Sequence, residues 1–75
     1  MEQFDEFVQK ERERQDRKWG VQNHEPLKWL AILGEEVGEV NKAALEGCYS
    51  DMREELVQVA AVCKAMYECA VRCDW

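Results

Sequence analysis

A single proline, Pro26, stands just ahead of a long stretch in which apolar residues recur at helical spacing, and no part of the chain alternates apolar with polar as a half-buried strand would. Proline suits the first turn of a helix and breaks its interior. The sequence therefore divides into helices with breaks at residues 19–26 and 47–50. The first segment, about residues 2–18, carries Phe4, Phe7 and Val8 on one face. The second, residues 26–46, carries Leu30, Leu33, Val37, Val40 and Ala44. Asp51 with Glu54 three residues on resembles a capping box. It is expected to open a third helix bearing Leu56, Val59, Ala60, Cys63, Tyr67 and Ala70, running nearly to Trp75. The expectation is an all-α fold: one domain over residues 1–75, a three-helix protomer whose last two helices form an antiparallel hairpin.

At 75 residues, a folded chain hides only about 60% of the surface that its unfolded form exposes. Disulfides, a metal or partner subunits commonly supply the missing stability. Four cysteines, Cys48, Cys63, Cys69 and Cys73, raise the first option. Cys69 and Cys73 lie one helical turn apart, roughly 6 Å between Cβ atoms, against about 3.8 Å in a good bridge. No C-x2-C pair suggests structural zinc. Reduced, partly buried cysteines are expected, and oligomerisation as a homo-dimer or tetramer, giving a larger helical bundle.

The start, Met1-Glu2-Gln3-Phe4-Asp5, lacks the basic and apolar regions of a signal peptide. No apolar run reaches the roughly 18 residues of a membrane span. The expectation is a cytoplasmic protein without a membrane partner. The net charge of −6 disfavours nucleic acid, although a metal ion could still bring in a phosphate group. The charged run from Lys10 to Lys18 reads as a solvated helix with mixed-sign i,i+4 pairs. Alternatively, one or two of Arg12, Arg14, Arg17 and Lys18 face a triphosphate.

Glu35, Glu36 and Glu39 crowd one turn of the second helix. Like charges at this spacing cost a few tenths of a kcal/mol on an isolated helix, about 0.2–0.5, and a cation would remove that cost. In a chain with 16 acidic residues such a cluster can also be an ordinary wet face. From an apolar centre near Val37 and Ala44, Glu36 lies about 70° away, Glu39 about 130° in the same sense, and Glu35 nearly opposite. On the third helix, Glu55 and Gln58 lie about 80° and about 140° from a centre at Cys63, again in one sense. Glu39 and Glu55 are each eight residues from Gly47, and Glu36 and Gln58 each eleven. The pairs Glu39–Glu55 and Glu36–Gln58 are thus expected at matching heights, roughly 12 Å and 16 Å from the turn. Three carboxylates and an amide oxygen form a hard-oxygen set that suits Mg²⁺.

These residues resemble the signature of the MazG-like all-α nucleoside triphosphate pyrophosphohydrolases, EExxE followed after a spacer by ExxD. Glu35-Glu36-Val37-Gly38-Glu39 matches the first element, and Glu55-Leu56-Val57-Gln58 matches the second with Gln58 in place of Asp. Trp19-Gly20-Val21-Gln22-Asn23-His24 is similar to the PWDxxQTH stretch of MazG proteins, and residues 11–20 to the opening of small phage and bacterial MazG-like proteins. The resemblance implies Mg²⁺, with Mn²⁺ as an alternative, held by Glu36, Glu39, Glu55 and the position of Gln58. It implies hydrolysis of a (d)NTP to the monophosphate and pyrophosphate, in house-cleaning or pool control. Glu35, or whichever of Glu36 and Glu39 is free of metal, would take the water proton. Trp19, Gln22, His24 and Trp29 would meet the base, and Lys42 a phosphate. An uncharged Gln58 leaves an alternative open: a helical nucleotide-binding or dimerisation module that keeps the fold without turnover.

Overall fold

The computed structural model describes residues 2–75 as α1 (Glu2–Trp19), α2 (Pro26–Leu45) and α3 (Tyr49–Arg72), with no strand among the described residues. None of these helices is long and apolar enough to cross a membrane. Gly20 closes α1 with φ near 73°, and its N–H donates to the Asp16 carbonyl at 2.8 Å. Pro26 opens α2, where a missing N–H costs nothing. The Glu25 carbonyl receives the Lys28 and Trp29 N–H groups at 3.1 and 3.2 Å.

The turn between α2 and α3 is a Schellman motif. Gly47 takes φ 73°, its N–H donates to Ala44, and the Cys48 N–H donates to Ala43. A residue with a Cβ would be strained in that left-handed conformation. The motif also brings α3 in earlier than expected. The helix starts at Tyr49 with Cys48 as N-cap and no side-chain cap. Asp51 therefore sits inside the first turn, where its charge still favours the helix dipole.

α3 is the shared element. It packs against α2 and against α1, and α1 and α2 do not pack on each other among the described residues. The α2–α3 seam holds Trp29, Val62, Ala65 and Cys69, with Ile32, Leu33 and Met66 packed around them. Ala43 and Ala61 are also buried, and α1 adds Val8. The α1–α3 seam is mostly polar: Lys64 Nζ donates to Gln9 Oε1 at 2.6 Å, and Arg12 Nη2 lies 3.5 Å from Glu68 Oε1.

The buried faces differ from those read from apolar spacing. On α2 the buried line passes through Trp29, Glu36, Val40 and Ala43, about 80° around the helix from Val37 and Ala44. On α3 it passes through Ala61, Val62, Ala65 and Cys69, while Leu56, Cys63 and Tyr67 are exposed. Close helix packing here selects small residues with one large aromatic between them. The bulkier Leu30, Val37, Leu56 and Tyr67 stay outside. Spacing alone weights those bulky residues most, which explains the difference.

Candidate functional site

Because α1 and α2 both lean on α3 without meeting, a cavity of about 260 Å³ opens between the three helices. Trp19, Gln22, Trp29, Glu36 and Gln58, all expected in the site, line it. Arg12 and Arg14 of α1 and Arg72 of α3 complete the wall. Arg12 and Arg14 of the charged run thus face the cavity. The solvated reading holds as well, since Arg12 pairs with Asp16 at 3.0 Å and Arg14 with Glu11 at 2.6 Å.

Trp29 is the floor of the cavity at 3% exposure, and His24 meets its ring edge-on at 4.9 Å between centroids. Trp19 stands at the rim, half-exposed, with the Lys18 ammonium 4.8 Å from its ring. Two buried donors find no hydrogen-bond partner, Trp29 Nε1 and Arg12 Nε. A buried N–H without an acceptor carries a desolvation penalty of about 1–3 kcal/mol, which Trp29 and Arg12 bear.

Glu36, in the cavity wall, is half-buried against Glu55. Burial first, then the charge and hydrogen bond of Glu55 and the charges of Glu39 and Glu35, push the Glu36 carboxyl above its ordinary value. The pairing differs from the expected register, which set Glu39 opposite Glu55. The turned helix faces bring Glu36 there, leaving Glu39 exposed but close enough for its charge to be felt. Glu35 is exposed, and Lys42 is exposed in the last turn of α2, away from the cavity wall.

Gln58 is engaged elsewhere. Its Oε1 accepts from Gln15 Nε2 at 3.4 Å, and Gln15 Nε2 also donates to Glu11 at 3.0 Å. Glu11 lies below its ordinary pKa, chiefly through Arg14 against the cost of burial, with hydrogen bonds from Gln58 and Gln15 assisting. Gln58 therefore joins α3 to the charged run of α1. The sequence offered no signal for this, because Gln15 stands 43 positions away in an ordinary polar stretch.

The donor set fits a hard cation in part. Among the described residues no group of three His, Cys, Asp or Glu side chains gathers to hold a metal ion. Glu36 and Glu55, however, are two carboxylates held together at a cost that a cation would relieve. One or two carboxylates, completed by water and substrate phosphates, is the usual protein share of a Mg²⁺ site.

Arg72 had no place in the sequence reading beyond its position near the end of α3. Its Nε and Nη2 donate to Asn23 Oδ1 at 3.1 and 3.0 Å, and Nη2 also donates to the Gln22 carbonyl at 3.1 Å. The loop that carries Gln22 and His24 is thereby tied to α3. No family model, curated protein or solved structure gives a significant match to the chain.

Proposed function

We propose that this chain is a Mg²⁺-dependent nucleoside triphosphate pyrophosphohydrolase of the MazG-like type, acting as a homo-oligomer on a (d)NTP. The observation that carries the proposal is the Glu36–Glu55 carboxyl pair, whose Glu36 lines a cavity walled by Trp29, Arg12 and Arg14. Glu36 and Glu55 would hold the ion, with Glu39 beside them, and Mn²⁺ could substitute. Mg²⁺ supplies charge neutralisation on the phosphates and acidifies water. Glu35 or Glu39, exposed on the same helix, would accept the water proton. Arg12 and Arg14 would meet phosphate oxygens, and Trp29 and Gln22 the base.

The contacts of His24 with Cys69 and of Glu36 with Glu55 support an antiparallel α2–α3 hairpin. Oligomerisation is supported by the exposure of Leu27, Leu30, Val37 and Leu45 on one helix, since apolar surface of that kind is commonly covered by a partner. The role we assign is house-cleaning or control of nucleotide pools in the cytoplasm.

A second reading rests on Gln58. Its amide is held by Gln15 and carries no charge, as suits a nucleotide-binding module without turnover. The test is a pyrophosphate-release screen over standard and modified (d)NTPs with Mg²⁺, run on the parent, Glu36→Gln and Gln58→Asp. Turnover abolished by Glu36→Gln supports the enzyme. Turnover that survives it removes this site. Silence of the parent with recovery in Gln58→Asp selects the binding module.

A further inference from the structure

The Cys69 and Cys73 sulfurs lie 3.9 Å apart at the end of α3. Cys69 is fully buried beneath Trp29 and contacts the His24 carbonyl at 3.6 Å, whereas Cys73 is exposed. Arg72, between them in sequence, is the last residue of α3 and the clamp on Gln22 and Asn23. From this arrangement we infer that Cys69 and Cys73 form an oxidative modification site for small-molecule disulfides, whose closure releases the loop at residues 20–25.

The two thiols differ in access and in acidity. Cys73 is open to a reagent, while burial, its hydrogen bond with Cys69 and the Cys69 charge hold its thiol above the ordinary value against Arg72, so its attack is favoured by alkaline conditions. Burial opposes ionisation of Cys69, yet the nearby Trp29 indole, the His24 backbone, Cys73 and Arg72 hold its thiol below the ordinary value. The Cys73 thiolate attacks one sulfur of the small disulfide, releases one thiol and becomes a mixed disulfide. Cys69 thiolate then attacks the Cys73 sulfur and expels the second thiol. The two cysteines lose two electrons and two protons, and the small disulfide gains both as two thiols.

Closure does not fit an intact helix. Residues one turn apart keep their Cβ atoms about 5–6 Å from each other, and a bridge needs about 3.8 Å. The last turn, closed by the Cys73 N–H to Cys69 carbonyl bond at 2.9 Å, must therefore open. That movement draws Arg72 from Gln22 and Asn23 and loosens the cavity wall. A bridge formed under strain is readily reduced, so the modification is reversible.

The experiment treats the reduced full chain with oxidised glutathione. Trypsin cuts after Arg72, so a Cys69–Cys73 bridge keeps the two flanking peptides joined in mass spectra until a reductant is added. Amide exchange across residues 20–25 is expected to rise about tenfold on closure, the scale of one net hydrogen bond lost. Arg72→Ala should reproduce that rise in the reduced chain, and Cys73→Ser should abolish the response to oxidant. A glutathione adduct that stays on Cys73, a bridge through Cys48 or Cys63, or closure with unchanged exchange in the loop would each overturn the inference.

Discussion

Glu36 of α2 and Glu55 of α3 hold their carboxyl groups against each other across the seam, half-buried and with no cationic side chain bridging them among the described residues. Such a pair opposes folding when both groups are charged.

The pH dependence of the metal-free protein follows from that pair. Folding raises the Glu36 pKa, so its stabilising share is complete below the unfolded value and disappears as pH rises through the folded one. Glu11, lowered by Arg14, has the opposite sense: its share is present above the unfolded value and is lost as pH falls through the folded one. In thermal melts with chelator, Glu36→Gln is expected to match or exceed the parent Tm at neutral pH and to lose the decline between acid and neutral pH. Glu11→Gln should lower Tm at neutral pH only. A lower neutral Tm for Glu36→Gln would count against the strained pair.

Gln58→Asp places a third carboxylate beside Glu36 and gives up the bond from Gln15. Without metal the variant should melt lower than the parent. With millimolar Mg²⁺ its Tm should rise by more than the parent's, because the added charge favours a bound cation. Equal Mg²⁺ shifts in both proteins would place Gln58 outside any ion site.

Trp29 joins the core to the cavity. Trp29→Ala should cost about 3–5 kcal/mol, out of about 4–11 kcal/mol expected for a domain of this size, and leave much of the chain unfolded in urea titrations. Trp29→Phe keeps most of the packing and loses the indole N–H, so its midpoint should stay near the parent's.

Gly47→Ala forces a Cβ into the left-handed turn between α2 and α3. No neighbouring atom obstructs that Cβ, so the cost is conformational, about 1–2 kcal/mol, and should appear as a lower urea midpoint with unchanged slope.

Leu30 is 51% exposed on α2. Leu30→Glu should fold as the parent does and sediment as a smaller species, if the apolar face of α2 is where subunits meet. Identical sedimentation would move the subunit contact elsewhere.

The helices themselves were legible because Gly20, Pro26 and Gly47 punctuate the chain by backbone geometry that no tertiary contact overrides. The buried faces were less so. Apolar spacing favours Leu30, Val37 and Tyr67, whereas the seam is built from Ala43, Ala61, Ala65 and Cys69 around Trp29. The gathering of Trp19, Gln22, Trp29, Glu36 and Gln58 around one cavity follows from motif positions on all three helices and the loop before α2. The engagement of Gln58 by Gln15 and the clamp of Arg72 on the loop depend on contacts 43 and 49 positions apart in sequence, which no local pattern encodes.

Since α1 and α2 each rest on α3 and not on each other, the molecule has two seams that can loosen independently. The apolar seam keeps Glu36 and Glu55 in register, and the polar one keeps Arg12 at the cavity. Salt screens the Arg12–Glu68 pair of the second and leaves the apolar packing of the first in place. Added salt therefore loosens the hold of α3 on Arg12 before it disturbs the packing behind the carboxyl pair.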